Sequence, residues 1–167
     1  MRTKQQLKAA RKGQLTIQRN RENNYRRVWS AYKPPLHDPK FMLGLGLYAG
    51  EGTKREEVKF SSASPTFIKL MDHWFEAYFS FESRVLRVHH YGIYQDKSIQ
   101  RYWAKQTGIP ADCIQVYVVK ASRSSQRKKG NTLLHGTAYL RLRKPYATRI
   151  QIDKALHMCK INPKPQI

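Results

Sequence analysis

Gly44-Leu45-Gly46-Leu47-Tyr48-Ala49-Gly50-Glu51-Gly52-Thr53 closes an apolar run that begins at Phe41. The pattern predicts a helix over Phe41 to Gly50 despite the glycines, with Gly52 as its C-terminal stop. Gly46 and Gly50 lie four residues apart and so share one helical face. A glycine in a helix interior costs roughly 1 kcal/mol relative to alanine, and close approach of a second backbone is the usual compensation. A single acid, Glu51, ends the otherwise apolar segment, and two cations, Lys54 and Arg55, follow at once. A carboxylate beside cations reads as a metal ligand next to phosphate. Carboxylate oxygens suit Mg²⁺, which takes one or two of them and leaves its other positions to water and substrate phosphates. An ordinary core helix, with Glu51 as a capping or surface acid, is the competing account.

Downstream, Val58-Lys59-Phe60 reads as a short strand. Ser64-Pro65 opens a helix whose apolar residues Phe67, Ile68, Met71, Trp74, Phe75 and Tyr78 recur at helical spacing. Val85 to His89 is a strand, and Ile99 to Lys105 a helix ended by Gly108-Ile109-Pro110. Ile114 to Val119 is a strand, and Thr132 to Leu142 is expected to be its hairpin partner. A last helix runs from Ala147 to Met158. The order predicts an α+β domain with a mainly antiparallel sheet and helices packed on one face. The opposite face must then meet solvent or a partner.

Upstream, residues 1–30 hold nine Lys or Arg and one acid, Glu22. Their apolar face is patchy, which fits either a partly helical arm or a tail that orders on a partner. Pro34, Pro35 and Pro39 form a stiff boundary. The division is therefore a basic arm and Pro-rich linker over 1–39, a compact domain over 40–160 and a tail over 161–167.

Composition narrows the partner. Across 167 residues, 32 Lys and Arg stand against 11 Asp and Glu, a formal net charge of +21. Such an excess repels itself in a compact state and is best neutralised by a polyanion. No apolar run approaches the ~20 residues of a membrane-spanning helix, and no apolar segment follows the basic N-terminus as in a signal peptide. An intracellular, cytoplasmic protein is expected. Cys113 and Cys159 lack the spacing of a zinc site or disulfide framework.

The segment from Gly44 to Gly52 resembles the signature of the LAGLIDADG family of homing endonucleases: an apolar helix with small residues, ending in an acid followed by glycine. Glu51 stands in the place of the final acid. Ala49 stands where the earlier acid would be and Gly44 where the first leucine would be, so the signature is a variant. Three further stretches are similar to small bacterial and archaeal proteins of this type. They are Phe60 to Pro65 before a helix, Tyr102-Trp103 with Gly108-Ile109-Pro110, and Gly136-Thr137 before Tyr139-Leu140-Arg141-Leu142. The likeness extends over residues 40–158.

The resemblance implies a domain whose antiparallel sheet forms a saddle in the major groove of double-stranded DNA. It implies two signature helices packed through their small residues, with two acids holding divalent metal for phosphodiester hydrolysis. One signature per chain then implies a homodimer, joined through the helix of Gly46 and Gly50, with Glu51 as catalytic metal ligand and Mg²⁺ as cofactor. A catalytic lysine is also implied. Its position is outside the signature, and Lys120, at a strand end, is the candidate.

The cations fall where such a saddle would need them. Arg87 and His89 alternate along one strand and so face one side, as do Arg141 and Arg143 on another. Lys59 sits on the first strand, beside Lys54 and Arg55. The loop over 120–130 carries Lys120, Arg123, Arg127, Lys128 and Lys129 and no acid. Strand arginines can read guanine edges, and loop lysines mostly hold phosphates.

Two other readings compete. One is a regulator with the same fold that binds DNA without cutting it. The other is an RNA-binding or ribosome-associated protein, which leaves Gly46, Gly50 and Glu51 unexplained. Gly92-Ile93-Tyr94 is half of a GIY-YIG nuclease signature, and no Tyr-Ile-Gly follows. His89-His90 lie too far from Asn131 and His135 for the compact unit of an HNH nuclease.

Overall fold

A computed structural model describes residues 3–53, 57–90, 94–119 and 133–161. In chain order the elements are α1 (Lys4–Ala31), α2 (Pro39–Glu51), β1 (Lys59–Ser62), α3 (Pro65–Tyr78), β2 (Ser83–His90), α4 (Asp96–Thr107), a 3₁₀ turn (Ala111–Cys113), β3 (Ile114–Val118), β4 (Thr137–Arg143) and α5 (Tyr146–Met158). The fold is mixed α and β. Among the described residues no helix is long and apolar enough to cross a membrane.

Local chemistry sets the helix ends. Asp38 caps α2: its Oδ1 accepts from the backbone N–H of Lys40 at 2.8 Å and of Phe41 at 3.4 Å, and Pro39 fills the first turn, where no donor is needed. Tyr78 Oη donates to the other Asp38 oxygen at 2.5 Å, tying the start of α2 to the end of α3. Pro65 starts α3 in the same way. Gly108, at φ 79°, ends α4 in the left-handed conformation that glycine adopts most easily. The stretch from Lys4 to Ala31 is one continuous 28-residue helix, opened by a reciprocal Thr3–Gln6 capping box.

The four strands lie in the order β1-β4-β2-β3. β4 is antiparallel to both β1 and β2, whereas β3 runs parallel to β2 at the sheet edge. The sheet is therefore mixed, and β3 and β4 are not a hairpin. A hairpin needs a short turn to enforce adjacency. The long connection from Val118 to Thr137 instead lets β4 enter between β1 and β2. Gly136 makes that entry possible. Its φ is 76°, and a Cβ there would lie 2.3 Å from the carbonyl oxygen of His89 on β2.

Alternation along the strands sends Phe60, Leu86, Val88, Ile114, Ala138, Leu140 and Leu142 to one face, all buried. Helices α2, α3 and α4 pack there against the strands. Phe41, Tyr48, Trp74, Phe75 and Phe79 continue that core between α2 and α3. Trp74 meets Phe79 edge-on at 4.9 Å, and its indole N–H donates to the carbonyl of Phe41 at 3.0 Å. The buried Asp72 pairs with Arg84 at 2.5 Å.

Candidate nucleic-acid interface

The other face of the sheet carries the alternate residues of the same strands. Opposed residues in a sheet point the same way, so the register assembles the surface row by row. Lys59 on β1 lies opposite Arg141 on β4, which lies opposite Val85 on β2. Ser61, Tyr139, Arg87 and Gln115 form the next row, across all four strands. Thr137, His89 and Tyr117 form a third, and Arg143 extends the face at the far end of β4. Val85 is the buried member. Lys59, Arg87, His89, Tyr139 and Arg141 are half-exposed, while Tyr117 and Arg143 are exposed. With strands ~4.8 Å apart, four span about 14 Å, comparable with the ~12 Å width of the DNA major groove.

The side chains support one another. Arg87 Nε donates to Gln115 Oε1 at 3.2 Å, and Tyr117 Oη donates to the same oxygen at 3.0 Å. The His89 ring packs on Tyr139 at 4.8 Å and edge-on to Tyr117 at 5.6 Å. Lys59 Nζ lies 5.6 Å from the centre of the Tyr139 ring. Arg141 pairs with Glu57 at 3.3 Å across an exposed contact. Burial, then the charges of Arg87 and Lys59, push the His89 imidazole below its ordinary pKa. The surface is thus electropositive, hydrogen-bonding and braced by aromatic rings.

Sequence reasoning placed Lys59, Arg87, His89, Arg141 and Arg143, and the fold brings all five to this face. It missed Gln115, Tyr117 and Tyr139. The signal for them was the same two-residue alternation, applied to charges alone. The expected DNA-contacting residues Lys54, Arg55, Lys120, Arg123, Arg127, Lys128 and Lys129, and with them the proposed catalytic lysine, lie outside the described residues.

Glu51 is the last residue of α2 and is exposed, with no hydrogen bond or ion pair among the described residues. The chain after it is fixed. Gly52 bridges to Phe60, and the Thr53 N–H donates to the carbonyl of Lys59 at 2.8 Å. The Thr53 carbonyl accepts from Tyr48 Oη at 3.1 Å and from Arg149 at 2.6 Å. Glu51 is therefore held beside the edge strand that starts with Lys59. A carboxylate at a helix C-terminus faces the negative end of the helix dipole, an arrangement that a bound cation relieves. Among the described residues, no group of three His, Cys, Asp or Glu could hold a metal by itself.

The glycines of α2 divide unevenly. Gly44 is buried, and a Cβ there would fall 2.2 Å from the Trp74 ring, so Gly44 is the glycine that admits a close approach within the chain. Gly46 and Gly50 are exposed, and a Cβ on either would meet nothing within 4 Å. They share the outer face of α2 with Leu43, which is 56% exposed.

Comparison with models of known protein families, with curated proteins and with solved structures yields no match.

Proposed function

We propose that this chain binds double-stranded DNA through the open face of its sheet, and that two copies form a LAGLIDADG-like endonuclease that uses Mg²⁺. The observation that carries the reading is the face itself. It gathers Lys59, Arg87, His89, Arg141 and Arg143 from three strands onto one surface, in a chain of net charge +21. A sheet face of groove width, bearing arginines and a glutamine, suits base-edge recognition.

The catalytic part rests on Glu51 and on the outer face of α2. Gly46, Gly50 and Leu43 offer a second copy of α2 a close, apolar seat. Such a two-fold contact would bring two Glu51 carboxylates together. Divalent metal held there would polarise phosphate and lower the pKa of bound water. Glu51 would anchor the metal, and the sheet would fix the scissile strand beside it. A DNA-binding regulator that does not cut has the same sheet face and no need of Glu51.

One experiment separates the two readings. A randomised duplex library is incubated with Mg²⁺ and either the wild-type chain or Glu51→Gln. The endonuclease reading expects cleavage by the wild type, its loss in Glu51→Gln, and DNA affinity retained within a few-fold. Undiminished cleavage by the purified variant overturns Glu51 as ligand. Binding without cleavage by the wild type favours the regulator.

A further inference from the structure

Helix α1 is anchored to the domain through its C-terminal half. Lys154 Nζ donates to the carbonyls of Trp29 at 2.5 Å and Tyr32 at 2.6 Å, a cation placed on the negative end of the helix. Tyr146 Oη donates to the carbonyl of Arg21 at 2.8 Å, and Trp29 lies against His157 at 5.8 Å. Ile17, Asn20, Arg21 and Asn24 line a shallow recess beside Tyr146. From Lys8 through Asn23 every residue of the helix is exposed.

The charges on α1 are not spread evenly. At 3.6 residues per turn, Lys8, Arg11, Lys12, Arg19 and Arg26 fall within an arc of roughly 100°. That arc lies nearly opposite Ile17, Asn24 and Val28, on the side toward the recess at Tyr146, and at its edge it meets Trp29, which packs on His157 of α5. All five cations are exposed, and none is in an ion pair among the described residues. The arc also holds the exposed Leu15 and the helix's only acid, Glu22, which accepts from Gln18 at 3.2 Å. Lys8 stands three and four residues from Arg11 and Lys12, spacings at which like charges destabilise a helix by a few tenths of a kcal/mol each. A solvated helix face ordinarily mixes signs. This one concentrates repulsion that a polyanion would relieve. Lys8 to Arg26 spans about 27 Å of helix axis, against phosphates every ~3.4 Å along a strand.

We infer that this stripe of α1 is a second DNA-contacting surface. It holds phosphates that flank the segment bound by the sheet, and so lengthens the footprint without reading sequence. The inference rests on the proposal that the partner is duplex DNA. α1 packs on α5, α5 packs on α2, and α2 packs on β1 of the sheet, so stripe and sheet belong to one packed unit.

The test compares two double variants of the full chain that remove equal charge. Lys8→Gln/Lys12→Gln lies on the stripe, and Arg21→Gln/Arg27→Gln lies on the same helix outside it. Affinity for mixed-sequence DNA duplexes is measured against salt, and the footprint is mapped on a bound duplex. Circular dichroism verifies that α1 stays helical in each. The stripe variant is expected to lose about 1.8 from the magnitude of the log–log salt slope, at about 0.9 per phosphate, and to protect a shorter segment. The off-stripe variant is expected to change the slope by well under half of that. Equal effects of the two pairs, or a stripe variant that matches wild type, overturn the inference and leave the sheet reading standing. A wild-type chain that shows no salt-dependent duplex binding overturns both. A stripe-dependent preference for RNA over DNA duplexes overturns the choice of partner.

Discussion

On β4, Leu140 is wholly buried, while Tyr139 and Arg141 on either side of it stay partly open to solvent. The same contrast recurs on β2, where Leu86 and Val88 face the helices and Arg87 and His89 face away. On α2 it separates Gly44, pressed under Trp74, from Gly46, where an added Cβ would meet nothing within 4 Å. Inner and outer positions are neighbours in sequence, yet they answer to different physics. The inner set is judged by volume, because a packed interior has no room to adjust. The outer set is judged by charge and reach, because it stays open to solvent and its partners, such as Glu57 beside Arg141 and Gln115 beside Arg87, lie on the same open face. On the proposed reading, stability and binding should therefore be separable at single-residue resolution.

Leu140→Ala gives the largest expected effect. It removes buried methyls at the centre of the sheet and should destabilise the fold by about 2–5 kcal/mol. Thermal or urea unfolding measures it. The affinity of the fraction that remains folded should hold within a few-fold. A core variant that unfolds normally but loses DNA would break the separation of the two faces.

On the outer face, Arg87→Ala or Arg141→Ala should leave stability within about 0.5 kcal/mol of wild type. Either should weaken binding to a preferred duplex by about 1–3 kcal/mol if it reads a base edge. Titration of duplexes by fluorescence anisotropy checks this. Arg87 is the sharper case, since its removal also frees Gln115 from a 3.2 Å hydrogen bond. Affinity unchanged in both variants would remove the sheet face from the interface.

The glycines test the same division on a helix. Gly44→Ala forces a methyl into the Trp74 ring and should cost about 1–3 kcal/mol. Gly46→Ala meets open space, and in an isolated chain should stabilise α2 by up to about 1 kcal/mol. If α2 pairs with a second copy, Gly46→Ala should instead weaken assembly, which sedimentation reads directly. A chain that is monomeric with and without DNA, and stabilised by Gly46→Ala, would retire the two-subunit site.

Much of this architecture was legible in the residues. The apolar run from Phe41 with Gly52 as its stop, Ser64-Pro65, and Gly108 mark helix positions, so α2, α3 and α4 fall within a few residues of where the sequence puts them. The cationic positions of β2 and β4 were legible because a strand has period two. Strand pairing was not, because residues 119–136 are too long a connection to dictate who pairs with whom. The length of α1 was also hidden. Its docking uses few apolar side chains, Val28 and Trp29 chief among them, so no continuous hydrophobic face announced it. Gly44 was overlooked in favour of Gly46 and Gly50 because spacing alone does not say which face of α2 looks inward.

The smallest effect expected concerns His89, the histidine at the centre of the outer face. Burial, Arg87 and Lys59 hold its pKa below the ordinary histidine value, which is about 6.5. A folded-state pKa below the unfolded one means that its contribution to stability is present above about pH 6.5 and is lost as pH falls through the folded value. Binding should show the opposite sign. Phosphates arriving over Arg87 and Lys59 offset their repulsion and raise the imidazole pKa, so the complex takes up a proton and affinity rises as pH falls below about 6.5. The ceiling is one proton, or about tenfold in Kd per pH unit. His89→Gln keeps a hydrogen-bonding side chain and cannot titrate, so it should flatten the pH dependence of both quantities relative to wild type. The comparison between the two proteins isolates His89 from His37, His73, His90, His135 and His157, which both retain. If Kd and unfolding midpoint change with pH identically in wild type and variant, His89 does not sense phosphate, and the centre of the outer face is not where the duplex lies.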